Sequence, residues 1–373
     1  MGNLLNWDSI VRRLAALAEE PVSDRDHGLS TSLLRALAHD PPSPFAVRRF
    51  HDLPVLAATA AERGFGAHVD QTNHSVVVDE RVVVKWLTPP VPLPHPTPEI
   101  FAHLVEVGFA GTAPPYLALT RASDAGEELL ALVTGYLPEA RDGWEWCVDE
   151  AESGGTEFAG ELGRLAADLH VALATLPGGS SGRQADPAAR AADALAEALA
   201  LTDGADGEWL AARAADLARE LEPLRAGITG PSIRIHGDLH VGQILRWREG
   251  YAVIDFDGNP TVADTAARQP AARDVAQLTT SLEHVAQVAI VRRGTPSAHA
   301  AAWAAKARAG LLAAYRRRLS DKGRPDLLDE TLLRPFEVEQ ECRELIYAAR
   351  HLPRWRYAPM GVLRTWYPEE NLP

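Results

Sequence analysis

Apolar residues first recur at helical spacing near the start of the chain, where Ile10, Leu14 and Leu17 predict a helix over residues 7–20 that PVSD ends. A second break, DPPSPF at 40–45, precedes an Ala-rich stretch running to ERGFG that reads as another helix. The period then changes from helical to alternating. Residues 74–78 and 81–87 are β-branched runs around a turn at Asp79 and Glu80, the pattern of a hairpin. Pro-rich PPVPLPHPTP follows, then a predicted helix over 98–108 and a strand pair at 116–119 and 129–135. From Thr156 the chain is helical and Ala-rich, broken by a loop, PGGSSGRQADP at 177–187, and by a short β island at 233–235 and 244–256. No internal repeat is visible. The expected class is α+β: an N-terminal helical cap over 1–64, an intermediate subdomain with a small sheet and one helix over 65–140, and a helical lobe carrying the β island over 141–373. Such a two-lobe layout places an active site at a cleft.

Composition narrows the class. The 373 residues exceed what one core usually organises, and no apolar run approaches the length that spans a bilayer. MGNLLNWDS lacks the basic region and small-residue cleavage site of an export signal, so a cytoplasmic, non-membrane protein is expected. Cys147 and Cys342 are far apart, which argues against a metal cage or a disulfide scaffold. A net charge of −14 repels nucleic acid and favours a cationic small molecule. Of the 37 basic residues only Lys85, Lys306 and Lys322 are lysine, which makes a lysine inside an apolar strand conspicuous.

The stretch IRIHGDLHVGQILRWREGYAVIDFDG, 233–258, carries the chemistry. It reads as a strand, a tight loop at Gly237, a short strand from Gln243 to Trp247, a turn and a strand to Phe256, so that Asp238 and Gln243 at one end face Asp255 at the other. Phosphoryl transfer needs a carboxylate to orient and deprotonate the acceptor hydroxyl, and oxygen ligands for Mg²⁺. Asp238 supplies the first; Gln243 and Asp255 supply the second. Asp257 joins them if the chain turns there, and faces away if the strand continues. Two other readings stay open: His236, Asp238 and His240 as a metal-hydrolase ligand set, and Asp238 as a cap of its own loop. Asp274, opening a later helix in AARDVAQL, reads as a first-turn carboxylate or a brace to the catalytic loop.

HGDLHVGQ followed by VIDFDG resembles the catalytic and metal-binding segments of the aminoglycoside phosphotransferase superfamily. The resemblance implies a protein-kinase-like two-lobe fold, ATP and Mg²⁺ as cofactors, Asp238 as base, and Gln243 and Asp255 as metal ligands. Gln243 departs from the Asn usual in the antibiotic-modifying members and looks like the maltokinase branch. A kinase-like site also needs a strand lysine held by a helix carboxylate, and VVVKWL offers Lys85 with Glu99 at the start of the next helix. A lysine snorkelling from an edge strand is the alternative. No G-x-G-x-x-G precedes the strand; GFGAHVDQTN stands there instead. LLALVTGYLP looks like the interlobe hinge, where the backbone of Val133, Gly135 and Tyr136 would meet adenine.

For the acceptor, Gln340, Arg343, Glu344 and Tyr347 fall at i, i+3, i+4 and i+7 on one helical face, Trp366 with Tyr367 offers an aromatic platform, and Glu369 or Glu370 an anion. A stripe facing solvent would read as nothing more than a polar surface. The QECRE form of this tail is similar to actinobacterial kinases assigned to glucosamine. The expected function is thus ATP-dependent phosphorylation of D-glucosamine to glucosamine 6-phosphate by a monomer. The alternatives are a maltokinase forming maltose 1-phosphate, an aminoglycoside phosphotransferase, or a degenerate kinase-like protein that binds sugar or nucleotide without transfer.

Overall fold

In the computed structural model, residues 7–18, 22–65, 73–178, 186–228, 230–258 and 268–368 are described. Residues 19–20, most of GFGAHVDQTN and of the PGGSSGRQADP loop, and Glu369 and Glu370 lie outside them. The chain divides into two compact units, Met1–Ala140 and Arg141–Pro373.

Six antiparallel strands organise the first unit, in the order β1-β5-β6-β4-β3-β2. They are β1 (Phe45–Arg49), β2 (Glu62–Gly64), β3 (His74–Val78), β4 (Val82–Pro92), β5 (Pro115–Ser123) and β6 (Gly126–Gly135). Strand β4 alternates as its sequence dictates: Val82, Val84 and Trp86 enter one core with Ile10 and Leu14 of α1 (Trp7–Ala15) and Leu33 of α2 (Leu29–Ala36). Each such buried side chain contributes roughly 1.5–3 kcal/mol. Trp86 also donates its indole N–H to Ser30 Oγ at 3.0 Å, so the helical cap and the sheet pack as one body. Helix α3 (Pro96–Glu106) packs on β5, and its buried Ile100, Phe101 and Leu104 stand outside that core cluster.

Two expectations fail in this unit. The Ala-rich stretch before ERGFG is not a helix. It begins as β1, paired with β5 from Phe45↔Arg121 to Arg49↔Leu117, and continues without regular structure to β2. Long-range contacts override the helix propensity of its alanines: the Ala57 N–H donates to Asp79, and Arg35 holds the carbonyls of Ala57 and Ala58. The start of the Pro-rich segment, Pro89 to Pro92, is likewise part of β4, because a register shift between Trp86 and Val91 absorbs prolines that cannot donate to the ladder. The β3–β4 turn is as expected, with Asp79 and Glu80 both at positive φ, 56° and 48°.

Helices dominate the second unit: α4 (Gly143–Ser153), α5 (Phe158–Ala174), α6 (Pro187–Leu201), α7 (Gly204–Leu221), α8 (Ala272–Arg293), α9 (Ser297–Asp321), α10 (Leu333–Arg350) and α11 (Tyr357–Trp366). Helix α8 is its axis, packing against α4, α9, α10 and α11. Its segment 271–282 is buried throughout. The two-stranded β island, β7 (Ile244–Trp247) and β8 (Gly250–Val253), is antiparallel from Ile244↔Val253 to Trp247↔Gly250. It is shorter than expected at both ends: Val241–Gln243 form a 3₁₀ turn before β7, and β8 stops at Val253. No helix among the described residues is long and apolar enough to cross a membrane.

Candidate active site

The loop between Ile235 and Ile244 is held from behind by α8. Asp274, fully buried in the first turn of that helix, accepts from the backbone N–H groups of His236 (2.7 Å) and Gly237 (2.9 Å). It is thus both the first-turn carboxylate and the loop brace. His170 of α5 bonds the same carboxylate at 3.1 Å and reaches Tyr315 of α9 through its other ring nitrogen at 2.7 Å. Burial works against the charge of Asp274, but the hydrogen bond and charge of His170, the nearby His236 and the Gly237 N–H hold its carboxyl below the usual carboxylate range.

Within the loop, Asp238 Oδ1 accepts from the Gln277 amide of α8 at 2.8 Å, and Oδ2 lies 3.7 Å from His240 Nε2. The two histidines act on the loop. His236 accepts the Asp238 N–H at Nδ1 (3.3 Å) and donates from Nε2 to the Ile254 carbonyl (3.0 Å). His240 caps the 3₁₀ turn by accepting the Gly242 N–H at Nδ1 (3.0 Å), which leaves its Nε2–H toward Asp238. These bonds replace the metal-hydrolase reading, and no group of three or more His, Cys, Asp or Glu side chains among the described residues is arranged to hold a metal ion. Two glycines permit the close packing of α4 on this loop. A Cβ on Gly242 would stand 2.5 Å from Trp144 Nε1, and one on Gly143 would stand 1.6 Å from the Val241 carbonyl oxygen.

The metal-ligand candidates are adjacent through the backbone. The Ile254 N–H donates to the Gln243 carbonyl at 2.9 Å, which brings Asp255, the next residue, beside Gln243. Asp255 is exposed and takes a left-handed conformation, φ 64°, uncommon for any residue but Gly, Asn or Asp. The chain turns at Phe256 and Asp257 instead of continuing the strand, so Asp257 does not follow β8 onto its opposite face. This donor set is all oxygen, the chemistry that a hard cation such as Mg²⁺ requires.

On α10 the four candidates divide. Gln340 donates to Glu344 Oε1 at 2.9 Å, and Trp355 donates its indole N–H to Glu344 Oε2 at 2.7 Å, so the two residues form one fixed polar edge. Arg343 lies within electrostatic reach of Asp238. Burial and the guanidinium groups of Arg273 and Arg190 lower it to about 10 against the attraction of Glu339 and Asp238. Tyr347 is exposed, and its ring lies tilted against His351 at 5.5 Å between centroids. Trp366 is not an open platform. The Arg334 guanidinium covers its ring at 3.9 Å from the centroid, its N–H bonds Glu283 at 2.5 Å, and Tyr367 donates to Glu220 at 2.6 Å. Sequence reasoning missed a different aromatic row: Trp355 packs edge-on to Trp144 at 5.6 Å, and Trp144 packs on His240 at 5.8 Å. Missed as well were Gln277 and His284. The available signal was polar residues at helical spacing in one helix.

In the first unit, Lys85 sits mid-strand between Ser75 of β3 and Leu132 of β6, on the opposite face of β4 from Trp86. It is therefore not on an edge strand. Glu99 is exposed in the first turn of α3. The expected hinge lies at the end of β6. Val133 lies in the centre of the sheet, paired with Val84 and Leu117, while the N–H groups of Gly135 and Tyr136 donate to Pro114 (2.8 Å) and Arg81 (2.9 Å). An adenine ring at this segment would have to use backbone groups other than those two N–H groups.

Residues 101–319 match the model of the phosphotransferase enzyme family, and the chain belongs to that family. Over 368 residues it is 43% identical to a glucosamine kinase of Streptacidiphilus jiangxiensis, covering 92% of this chain and 82% of the relative. It is 36% identical to a glucosamine kinase of Mycolicibacterium smegmatis over 354 residues, covering 90% and 87%. A solved glucosamine kinase in complex with glucosamine, ADP and inorganic phosphate superposes with a TM-score of 0.77 at 39% identity, covering 91% of this chain and 83% of that one. The fold is accordingly the protein-kinase-like fold that the sequence predicts.

Proposed function

We infer that the protein is an ATP-dependent glucosamine kinase that forms glucosamine 6-phosphate. Similarity of about two residues in five over nine-tenths of the chain to a glucosamine kinase carries this reading. The local chemistry supports it. Asp238 is the base: its carboxylate, oriented by Gln277, takes the proton of the acceptor hydroxyl. The acceptor oxygen bonds to the γ-phosphorus as the bond to the β,γ-bridging oxygen breaks, ADP leaves with that electron pair, and the proton passes to solvent. Gln243 and Asp255, with Asp257, would hold Mg²⁺, which when bound neutralises charge on the terminal phosphates. Lys85 is assigned to the phosphates, and the Gln340–Glu344 edge with Arg343 to the sugar. A carboxylate such as Glu344 recognises an ammonium at sugar C2 better than a hydroxyl. The enzyme is assigned to the cytoplasm as a monomer.

ADP release with ATP and Mg²⁺, measured against glucosamine, glucose, maltose, N-acetylglucosamine and kanamycin, tests the reading. Glucosamine is expected to give the highest kcat/KM, with the product phosphorylated at O6. A higher value for maltose or kanamycin, or sugar binding without sugar-stimulated ADP, would reject it.

A further inference from the structure

Helix α8 presents four buried polar residues on one face, Asp274, Gln277, Ser281 and His284, at spacings of three, four and three. The first three meet the catalytic loop in order. Asp274 takes the N–H groups of His236 and Gly237, Gln277 donates to Asp238, and Ser281 Oγ accepts the Val241 N–H at 3.1 Å. Asp274 and Ser281 therefore fix the backbone on both sides of Asp238, while Gln277 touches its carboxylate itself.

We propose that Gln277 is a positioning residue for Asp238, committing Oδ1 to its amide so that Oδ2 is the oxygen that meets the acceptor hydroxyl. The assignment rests on the reading of Asp238 as base. Glutamine is mostly a surface residue, yet Gln277 is 6% exposed, and its amide Nε2–H lies 2.8 Å from a carboxylate oxygen, a charge-assisted bond. A carboxylate pivoting about χ2 would present either oxygen, and proton transfer demands one placed to within a fraction of an ångström. The His240 Nε2–H, 3.7 Å from Oδ2, borders the same oxygen.

The test is Gln277→Met, which keeps length and packing and removes the donor. Kinetics are measured on whichever sugar of the panel turns over, so that a wrong acceptor overturns the acceptor reading alone. The expected result is a fall in kcat of about 10- to 100-fold with KM for sugar and ATP changed less than about threefold. In an Asp238→Asn background the same substitution is expected to cost nothing further, because Gln277 acts only through the carboxylate. Gln277→Glu supplies a second arm of nearly unchanged shape. Its carboxyl donates to Asp238 only when protonated, so its rate relative to Gln277→Met should rise as pH falls toward about 5. A kcat within threefold of wild type, a loss that carries through undiminished in the Asp238→Asn background, or a pH-independent ratio of the two variants would each overturn the proposal. An Asp238→Asn enzyme turning over at the wild-type rate would overturn the base assignment and Gln277 with it.

Discussion

Lys85 and Asp238 are held by opposite means. Lys85 rides on a strand fixed by apolar packing: Val84 and Trp86 flank it in sequence and enter the core shared with the helical cap, while Ser75 and Leu132 stand across from it. Asp238 sits on a loop of poor intrinsic regularity whose position is set by buried polar groups on α8 and α5. The difference teaches where damage will show. A lost methylene near Lys85 lowers stability, whereas a lost hydrogen bond near Asp238 lowers rate.

Four substitutions probe that contrast. The largest effect belongs to Asp238→Asn, expected to reduce kcat by about a thousandfold or more, roughly 4 kcal/mol of barrier, with the unfolding midpoint nearly unchanged. Steady-state kinetics beside a thermal melt check both halves. Trp86→Ala is its mirror image: about 3–5 kcal/mol of stability lost in denaturant titration, with the kcat of the folded fraction retained. If that variant kept its stability and lost its rate, the contrast would be wrong. Lys85→Ala removes a charge and is expected to raise KM for ATP by about 10- to 100-fold, from the roughly 1.5–3 kcal/mol of a charge-assisted bond.

The smallest effect is electrostatic. His284 of α8 is buried against Glu341 at 3.0 Å; burial disfavours its charge, but Glu341, Glu344 and Glu283 outweigh burial and raise it to about 9. A raised histidine contributes its full stability below the unfolded value near 6.5 and loses it as pH climbs through about 9. The wild-type melting temperature should therefore fall between about pH 6.5 and 9 more steeply than that of His284→Gln. Parallel slopes would remove His284 from the network.

Much of the proposed catalytic loop was readable because its residues are close in sequence. Asp238, Gln243 and Asp255 lie within eighteen residues, and the turn at REG folds back the hairpin that brings the last two together. What supports them was not readable. Gln277 is 39 residues from the aspartate it contacts, and nothing in AARDVAQL says which face of the helix meets the loop. The same limit applies to β1, whose Ala-flanked sequence suits a helix until β5 arrives some seventy residues later as a partner. Trp366 misled for a related reason. An aromatic at the end of a polar tail suits a sugar platform, but Arg334, thirty-two residues earlier, already covers its ring.

The Asp274 carboxylate joins the amides of His236 and Gly237 to His170 on α5 and, through it, to Tyr315 on α9. Those two amide protons are held by a fully buried carboxylate, so their release requires the loop to part from α8. In deuterated buffer they should exchange with the slowest, globally unfolding class of the second unit, although they belong to a loop. The loop that carries the proposed base is thus tied to the buried core of the helical unit, so partial opening elsewhere in the helices need not disturb it.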